Sequence, residues 1–152
     1  MKFFSLFIFS LLLGACASSP GTLKVKQYHL RSEIILPADD PMMRMEKLRR
    51  LHGAVSATER RERLGQYYTL TWNHPKGTGQ GEVEIRFDYQ QGASASLVKQ
   101  MHKDFPSSAG SGSVEFAVLG DDYFTRGKVL AWKATLLRDN KVIATQQSYL
   151  WQ

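Results

Sequence analysis

The chain has 152 residues, of which 43% are hydrophobic and 22% are charged, and its formal net charge is +6. This length accommodates one domain with one hydrophobic core and excludes two, and the composition is that of a soluble globular domain. The chain contains one cysteine, Cys16, which excludes an intrachain disulfide.

The first element in chain order is a short apolar run over residues 3–13, which follows Lys2 and precedes small residues. This order is typical of a cleaved signal peptide, and the run is too short to span a bilayer comfortably. An ordinary secretory signal, cut near Ala15 or Ala17, is one reading of the pattern. An exported chain also has no access to nucleic acid as a partner.

The tetrapeptide Leu13-Gly14-Ala15-Cys16 resembles the lipobox of bacterial lipoproteins. The resemblance implies a signal peptide over residues 1–15, cleavage before Cys16 and covalent lipid on Cys16 as the only attached group. The second position of the tetrapeptide holds Gly, where the family usually has Ala, Ser or Thr. No Asp follows the cysteine, which by resemblance implies the outer membrane, with the domain facing the periplasm or the cell surface.

Residues 16–23 are small and polar and predict a tether, and residues 24–152 then form the domain. A first strand is predicted over residues 24–36. Pro37 ends it, because proline offers no N–H group to a strand ladder.

A helical insertion is predicted over residues 40–65. Asp40 is a good helix N-cap before Pro41, and Ser56 with Glu59 forms a capping-box pattern that starts a second helix. An apolar stripe recurs every three to four residues in the first helix. Its members are Met42, Met45, Leu48 and either Leu51 or His52.

Basic residues are concentrated in this insertion, where seven of them stand against three acids between residues 44 and 63. We expect the insertion to be a docking arm that takes no part in completing the domain. Anionic lipid headgroups, lipopolysaccharide phosphates and an acidic protein are the candidate partners, and a solvated helix surface is the alternative. The predicted partner-binding residues are Arg44, Lys47, Arg49, Arg50, Arg60, Arg61 and Arg63.

After residue 65 the hydrophobic period becomes two, which indicates strands. The clearest strand covers residues 82–89, where apolar and charged side chains alternate without interruption. Another strand carries Tyr68, Leu70 and Trp72 on one face. Further strands are predicted over residues 97–103, 114–118, 128–138 and 142–151, and the last two are joined by a hairpin at residues 139–141.

About seven strands without a β-α-β rhythm predict a mainly β protein, an antiparallel sandwich with a helical insertion after the first strand. The pattern resembles an immunoglobulin or fibronectin III domain, without the cysteine pair of antibody domains. The overall composition and the run over residues 129–134 also resemble pilus-associated lipoproteins with an immunoglobulin-like fold.

The sequence contains no pattern that predicts a catalytic or metal site. The four histidines lie on separate elements, no pair has the spacing of a helical metal site, and no Gly-x-Ser-x-Gly elbow is present. Tyr67, Tyr123 and Phe124 are predicted to be exposed and form a candidate platform for glycans.

The sequence therefore predicts a non-enzymatic, membrane-anchored lipoprotein. We expect a scaffold, assembly or adhesion subunit of a cell-envelope complex, and the pilus resemblance implies a pilus-like one. A module that binds envelope or host glycans is the alternative, and a small hydrolase is a third hypothesis.

Overall fold

The structure is a computed structural model that describes residues 22–73, 81–93 and 96–151. The predicted signal peptide and the predicted lipidation site, Cys16, lie outside these described residues. The turn-rich loop over residues 74–80 also lies outside them.

The described residues form seven strands and three short helices. The helices are α1 (Pro41–Leu51), α2 (Ala57–Glu62) and α3 (Gly120–Arg126). The strands are β1 (Leu23–Leu30), β2 (Gly65–Asn73), β3 (Val83–Gln91), β4 (Lys99–Phe105), β5 (Ser111–Leu119), β6 (Val129–Arg138) and β7 (Lys141–Gln147).

These strands form two antiparallel sheets, with orders β1-β2-β5 and β4-β3-β6-β7. The prediction of a mainly β, immunoglobulin-like sandwich with a helical insertion after the first strand is confirmed. The fourth strand pairs with β3, whereas an antibody constant domain has its fourth strand in the first sheet.

The core lies between the two sheets and is built from alternate residues of each strand. In β3 every second residue is buried, as its alternating sequence predicts. Large rings fill the space: Tyr68 lies 4.6 Å from Phe87, and Trp72 lies 4.5 Å from Phe105, between ring centroids. Aromatic packing therefore joins the sheets of a domain that has no disulfide.

The first strand is shorter than predicted. It pairs with β2 from Leu23, opposite Trp72, to Leu30, opposite Gly65. Beyond Leu30 the partner strand has ended, so the predicted continuation to residue 36 is wrong. The last strand is also shorter than predicted, because β7 ends at Gln147 and not at residue 151.

Leu130 interrupts the alternation of side chains along β6. Gln90 pairs with Ala131 and Gln91 pairs with Val129, so Leu130 is an extra residue without a partner in β3. Such a bulge changes which side chains face the core. Val129 is buried and Leu130 is exposed as a result.

Helix α3 follows β5 directly. A buried glutamine anchors it, because Gln91 Nε2 donates to the carbonyl oxygens of Asp122, at 3.1 Å, and Gly127, at 3.0 Å. Lys99 Nζ adds an ion pair to Asp122 at 2.7 Å. These contacts come from strands that are distant in the sequence, so a local sequence pattern could not predict them.

The two-residue turn of the β6–β7 hairpin confirms the prediction there. Asp139 and Asn140 have φ angles of 48° and 60°. Two successive residues with positive φ are the signature of a turn whose twist matches that of the strands. Asp and Asn tolerate this conformation better than most residues.

A buried glutamine also ties the two sheets together at one end. Gln66 Oε1 accepts a hydrogen bond from the Val129 amide at 2.5 Å, and Gln66 Nε2 donates to the Val129 carbonyl at 3.4 Å. Gln66 Nε2 lies 3.2 Å from the Tyr68 hydroxyl as well. One side chain from β2 thus satisfies both backbone groups of a residue in β6.

We expect Gln66→Leu to lower the free energy of unfolding by about 1–3 kcal/mol, because it leaves the buried amide and carbonyl of Val129 without these hydrogen bonds. Urea unfolding followed by fluorescence measures the change. The matched control is Thr71→Leu, on the same strand at an exposed position. Equal stability of the two variants would show that the bridge between the sheets contributes nothing.

Candidate contact surface on the helical insertion

Both helices of the insertion begin at the predicted N-cap residues. The Asp40 carboxylate accepts hydrogen bonds from the amides of Met42, at 2.9 Å, and Met43, at 3.3 Å. Ser56 and Glu59 form the predicted capping box at the start of α2. Each cap satisfies amides that the first turn of a helix leaves unpaired.

The insertion covers the outer face of the β1-β2-β5 sheet. A second hydrophobic cluster, separate from the main core, joins Leu51 and Leu64 of the insertion to Leu30 and Tyr67 of the sheet. The expectation that the insertion takes no part in completing the domain is therefore wrong. It buries one sheet face that would otherwise be apolar and exposed.

Arg50 is the polar centre of this interface and is only 8% exposed. Its Nε donates to Glu46 at 2.9 Å, and its Nη1 donates to Glu115 of β5. Its guanidinium carbon lies 3.9 Å from the centre of the Tyr67 ring, a cation–π contact. Thr69 donates a further hydrogen bond to Glu115 at 3.1 Å. The expectation that Arg50 is available to a partner is wrong for this reason.

Two other predicted partner-binding residues use their donors within the insertion. Lys47 Nζ donates to the Ile34 carbonyl at 2.7 Å and pairs with Asp39 at 2.9 Å. Arg63 Nη1 donates to the carbonyl of Arg50 at 3.1 Å and to that of His52, which closes the end of α1. Both residues therefore hold the insertion in shape.

The remaining predicted residues have weaker internal contacts. Arg60 Nε donates to the Ala54 carbonyl at 3.3 Å. Arg61 lies over the Phe124 ring of α3, with its guanidinium carbon 4.3 Å from the ring centre. Arg44 Nη1 donates to the Pro37 carbonyl at 3.2 Å and joins no ion pair between described residues.

The predicted aromatic platform does not form one exposed surface. Tyr67 is 6% exposed, because α1 covers its strand face, so the prediction of its exposure is wrong. The Tyr123 hydroxyl lies 2.7 Å from His29 Nε2, and Phe124 is beneath Arg61. All three rings therefore contact other groups of the protein, and of the three Phe124 keeps the predicted exposure, at 42%.

Helix α1 has its apolar stripe on the side that faces away from the protein. Met42 and Met45 are 79% and 65% exposed, while Arg50 is buried against the sheet. Residues three and four apart share a helix face, so this outward side is continuous. We call it the docking face, and it consists of Met42, Met45, Leu48, Arg49 and His52.

More apolar surface is exposed on the segment that precedes α1. The segment between β1 and α1 exposes Ile34, Ile35 and Leu36, and the hydrogen bond from Lys47 holds Ile34 beside α1. Apolar side chains grouped in this way on the docking face are uncommon on the surface of a soluble domain and mark a contact site. Met side chains adapt their shape to what they contact.

Positive charge borders the apolar surface. Glu46 lies between Arg49, at 2.6 Å, and Arg50. The hydrogen bond from Arg49 is the largest influence that lowers the pKa of Glu46 from 4.5 to about 2, with help from Arg50 and against the effect of burial. Glu46 is thus ionised and neutralised by two arginines, and Arg44 adds positive charge at the edge of the face.

The described part of the chain contains no group of three His, Cys, Asp or Glu side chains able to hold a metal ion. None of the helices formed by the described residues has the length and apolar character that crossing a membrane requires. The chain matches no protein-family model, no curated protein and no solved structure. The site therefore has to be interpreted from its own chemistry.

We expect Arg50→Leu to lower the free energy of unfolding by about 1–3 kcal/mol, because Glu46 and Glu115 lose a buried cation while both keep contact with water. The control is Arg49→Leu, on the exposed side of α1, with an expected loss of about 0–1 kcal/mol. Urea unfolding measures both changes. A larger loss for Arg49→Leu than for Arg50→Leu would contradict the assigned role of Arg50.

Proposed function

We propose that this protein is a membrane-anchored lipoprotein that acts as a non-catalytic scaffold or assembly subunit of a cell-envelope complex. The observation that supports this function is the docking face, an apolar and positively charged surface on a helix held rigidly against the sandwich. A surface built in this way serves contact with another envelope component.

The ends of the insertion support the same reading. Residues 31–64 join two strands that pair at Leu30 and Gly65, so a tight turn would have been enough to connect them. The chain instead contains two capped helices at this place. Their outward methionines add nothing to the core, which favours a role in contact with a partner.

The anchor in this proposal is lipid on Cys16, which the lipobox resemblance implies. Several buried acyl chains hold a protein stably in a membrane, whereas a single chain binds reversibly. The pilus-like character of the complex rests on resemblance in the sequence alone. A glycan-binding role has less support, because the aromatic residues expected to form its platform are buried or occupied.

We expect Cys16→Ser to abolish incorporation of radiolabelled palmitate into the chain, because the acylated thiol is removed. Labelling in cells, followed by recovery of the protein, measures this. The control is Ser18→Ala, two residues away, which keeps the cysteine and should keep the label. Palmitate on the Cys16→Ser variant would refute the anchor.

Charge reversal of the docking face tests the contact function. We expect Arg44→Glu with Arg49→Glu to remove the specific cross-linked envelope components that the unaltered protein gives in living cells, because two cations beside the apolar face become anions. The control is Lys103→Glu with Lys141→Glu, which makes the same charge change at exposed positions on β4 and β7. Identical cross-linking by both double variants would contradict a role for this face.

A further inference from the structure

We propose that the docking face binds the anionic lipid leaflet that holds the anchor, so that the domain lies against its own membrane. This inference rests on the proposed function, which places the anchor at Cys16. It names the envelope component that the face contacts, and it leaves the remaining surface of the sandwich to the other members of a complex.

The chemistry of the face suits the boundary between lipid headgroups and acyl chains. Met42, Met45 and Leu48 provide outward apolar side chains on successive turns. Arg44 and Arg49 lie on the same helix, where their long stems can lie along apolar surface while the guanidinium groups meet phosphate oxygens. Helices that lie in a membrane interface combine these two features.

Exposed apolar side chains are also present on the segment before α1. The exposed apolar residues extend beyond one helical stripe, since Ile34, Ile35 and Leu36 of the preceding segment are exposed as well. Lys47 fixes this segment beside α1 through the Ile34 carbonyl.

The charges exclude a second copy of this chain as the preferred occupant. Two docking faces placed together would bring Arg44 and Arg49 of one protomer close to those of the other, and like charges repel. The carboxylate of Glu46 is already shared between Arg49 and Arg50. An anionic surface supplies the opposite charge for Arg44, which joins no ion pair between described residues.

The length of the tether makes this contact available. Six residue steps separate Cys16 from Thr22, where the described structure begins, and they span at most about 22 Å when extended. Thr22 adjoins β1, an edge strand of the sheet whose outer face α1 covers. The insertion follows Leu30 at the other end of β1, so the anchor confines the whole domain near the leaflet and raises the effective concentration of its surfaces there.

A fluorophore can be attached at one chosen position, because Cys16 is the only cysteine of the chain and its thiol is acylated in the anchored protein. The full-length lipidated protein is prepared as Met45→Cys and as Tyr149→Cys, and each is labelled with an environment-sensitive fluorophore. Tyr149 is the matched position, since its side chain is 99% exposed and lies outside the insertion. Both proteins are reconstituted into vesicles of phosphatidylcholine with phosphatidylglycerol that carry spin-labelled lipid.

We expect spin-labelled lipid to quench the fluorophore at position 45 several-fold more than the one at position 149. Vesicles of phosphatidylcholine alone, and the Arg44→Glu and Arg49→Glu substitutions, should both reduce this contrast. Equal quenching at the two positions would overturn the proposal. So would a fluorophore at position 45 that is shielded from water in whole cells but never quenched by lipid, because a protein would then cover the face.

The contrast between the two positions separates this proposal from the proposed function. A chain without lipid on Cys16 would refute the anchor, and a Cys16→Ser chain labelled at position 45 and mixed with the same vesicles would still report whether that position meets lipid. Loss of the contrast in a properly anchored protein would refute the membrane contact and leave the scaffold function standing.

Discussion

The whole insertion depends on one buried cation, the guanidinium of Arg50. Its contacts with Glu46, Glu115 and the Tyr67 ring join α1 to β5 and β2. A buried charge is costly unless several partners surround it, and here two carboxylates and an aromatic face do so. The geometry that these partners demand fixes the rotation of α1 about its own axis. Every other property of the insertion, including which residues face outward, follows from that rotation.

This rotation turns the apolar stripe of α1 outward, which is the reverse of its position in an ordinary surface helix. A helix on a soluble domain commonly buries its apolar stripe and exposes its charges. In this protein Leu51 is the one member of the predicted stripe that packs against the sheet, while Met42 and Met45 face away. Ion pairs and one leucine replace the apolar contact that the methionines would have made. The arrangement sacrifices hydrophobic stabilisation of the helix and leaves an apolar surface exposed on its outward side.

The features that the sequence predicted correctly are those that local rules decide. Asp40 and Ser56 cap helices through neighbours two or three residues away, and the alternation of β3 shows its buried face directly. The orientation of α1 could not be predicted, because the sequence places Arg50 beside Leu51 and its partner Glu115 lies 65 residues away. The bulge at Leu130 and the anchoring of α3 by Gln91 likewise depend on distant strands.

The pairing of Leu30 with Gly65 makes the insertion, in topological terms, the loop of a long hairpin. Its entry and exit are neighbours, so its length and sequence can change while the strand register on either side stays the same. Longer loops add only slowly to the entropy of closure. Evolution, or a designer, can therefore exchange residues 31–64 for a different contact module and keep the sandwich as an unchanged carrier.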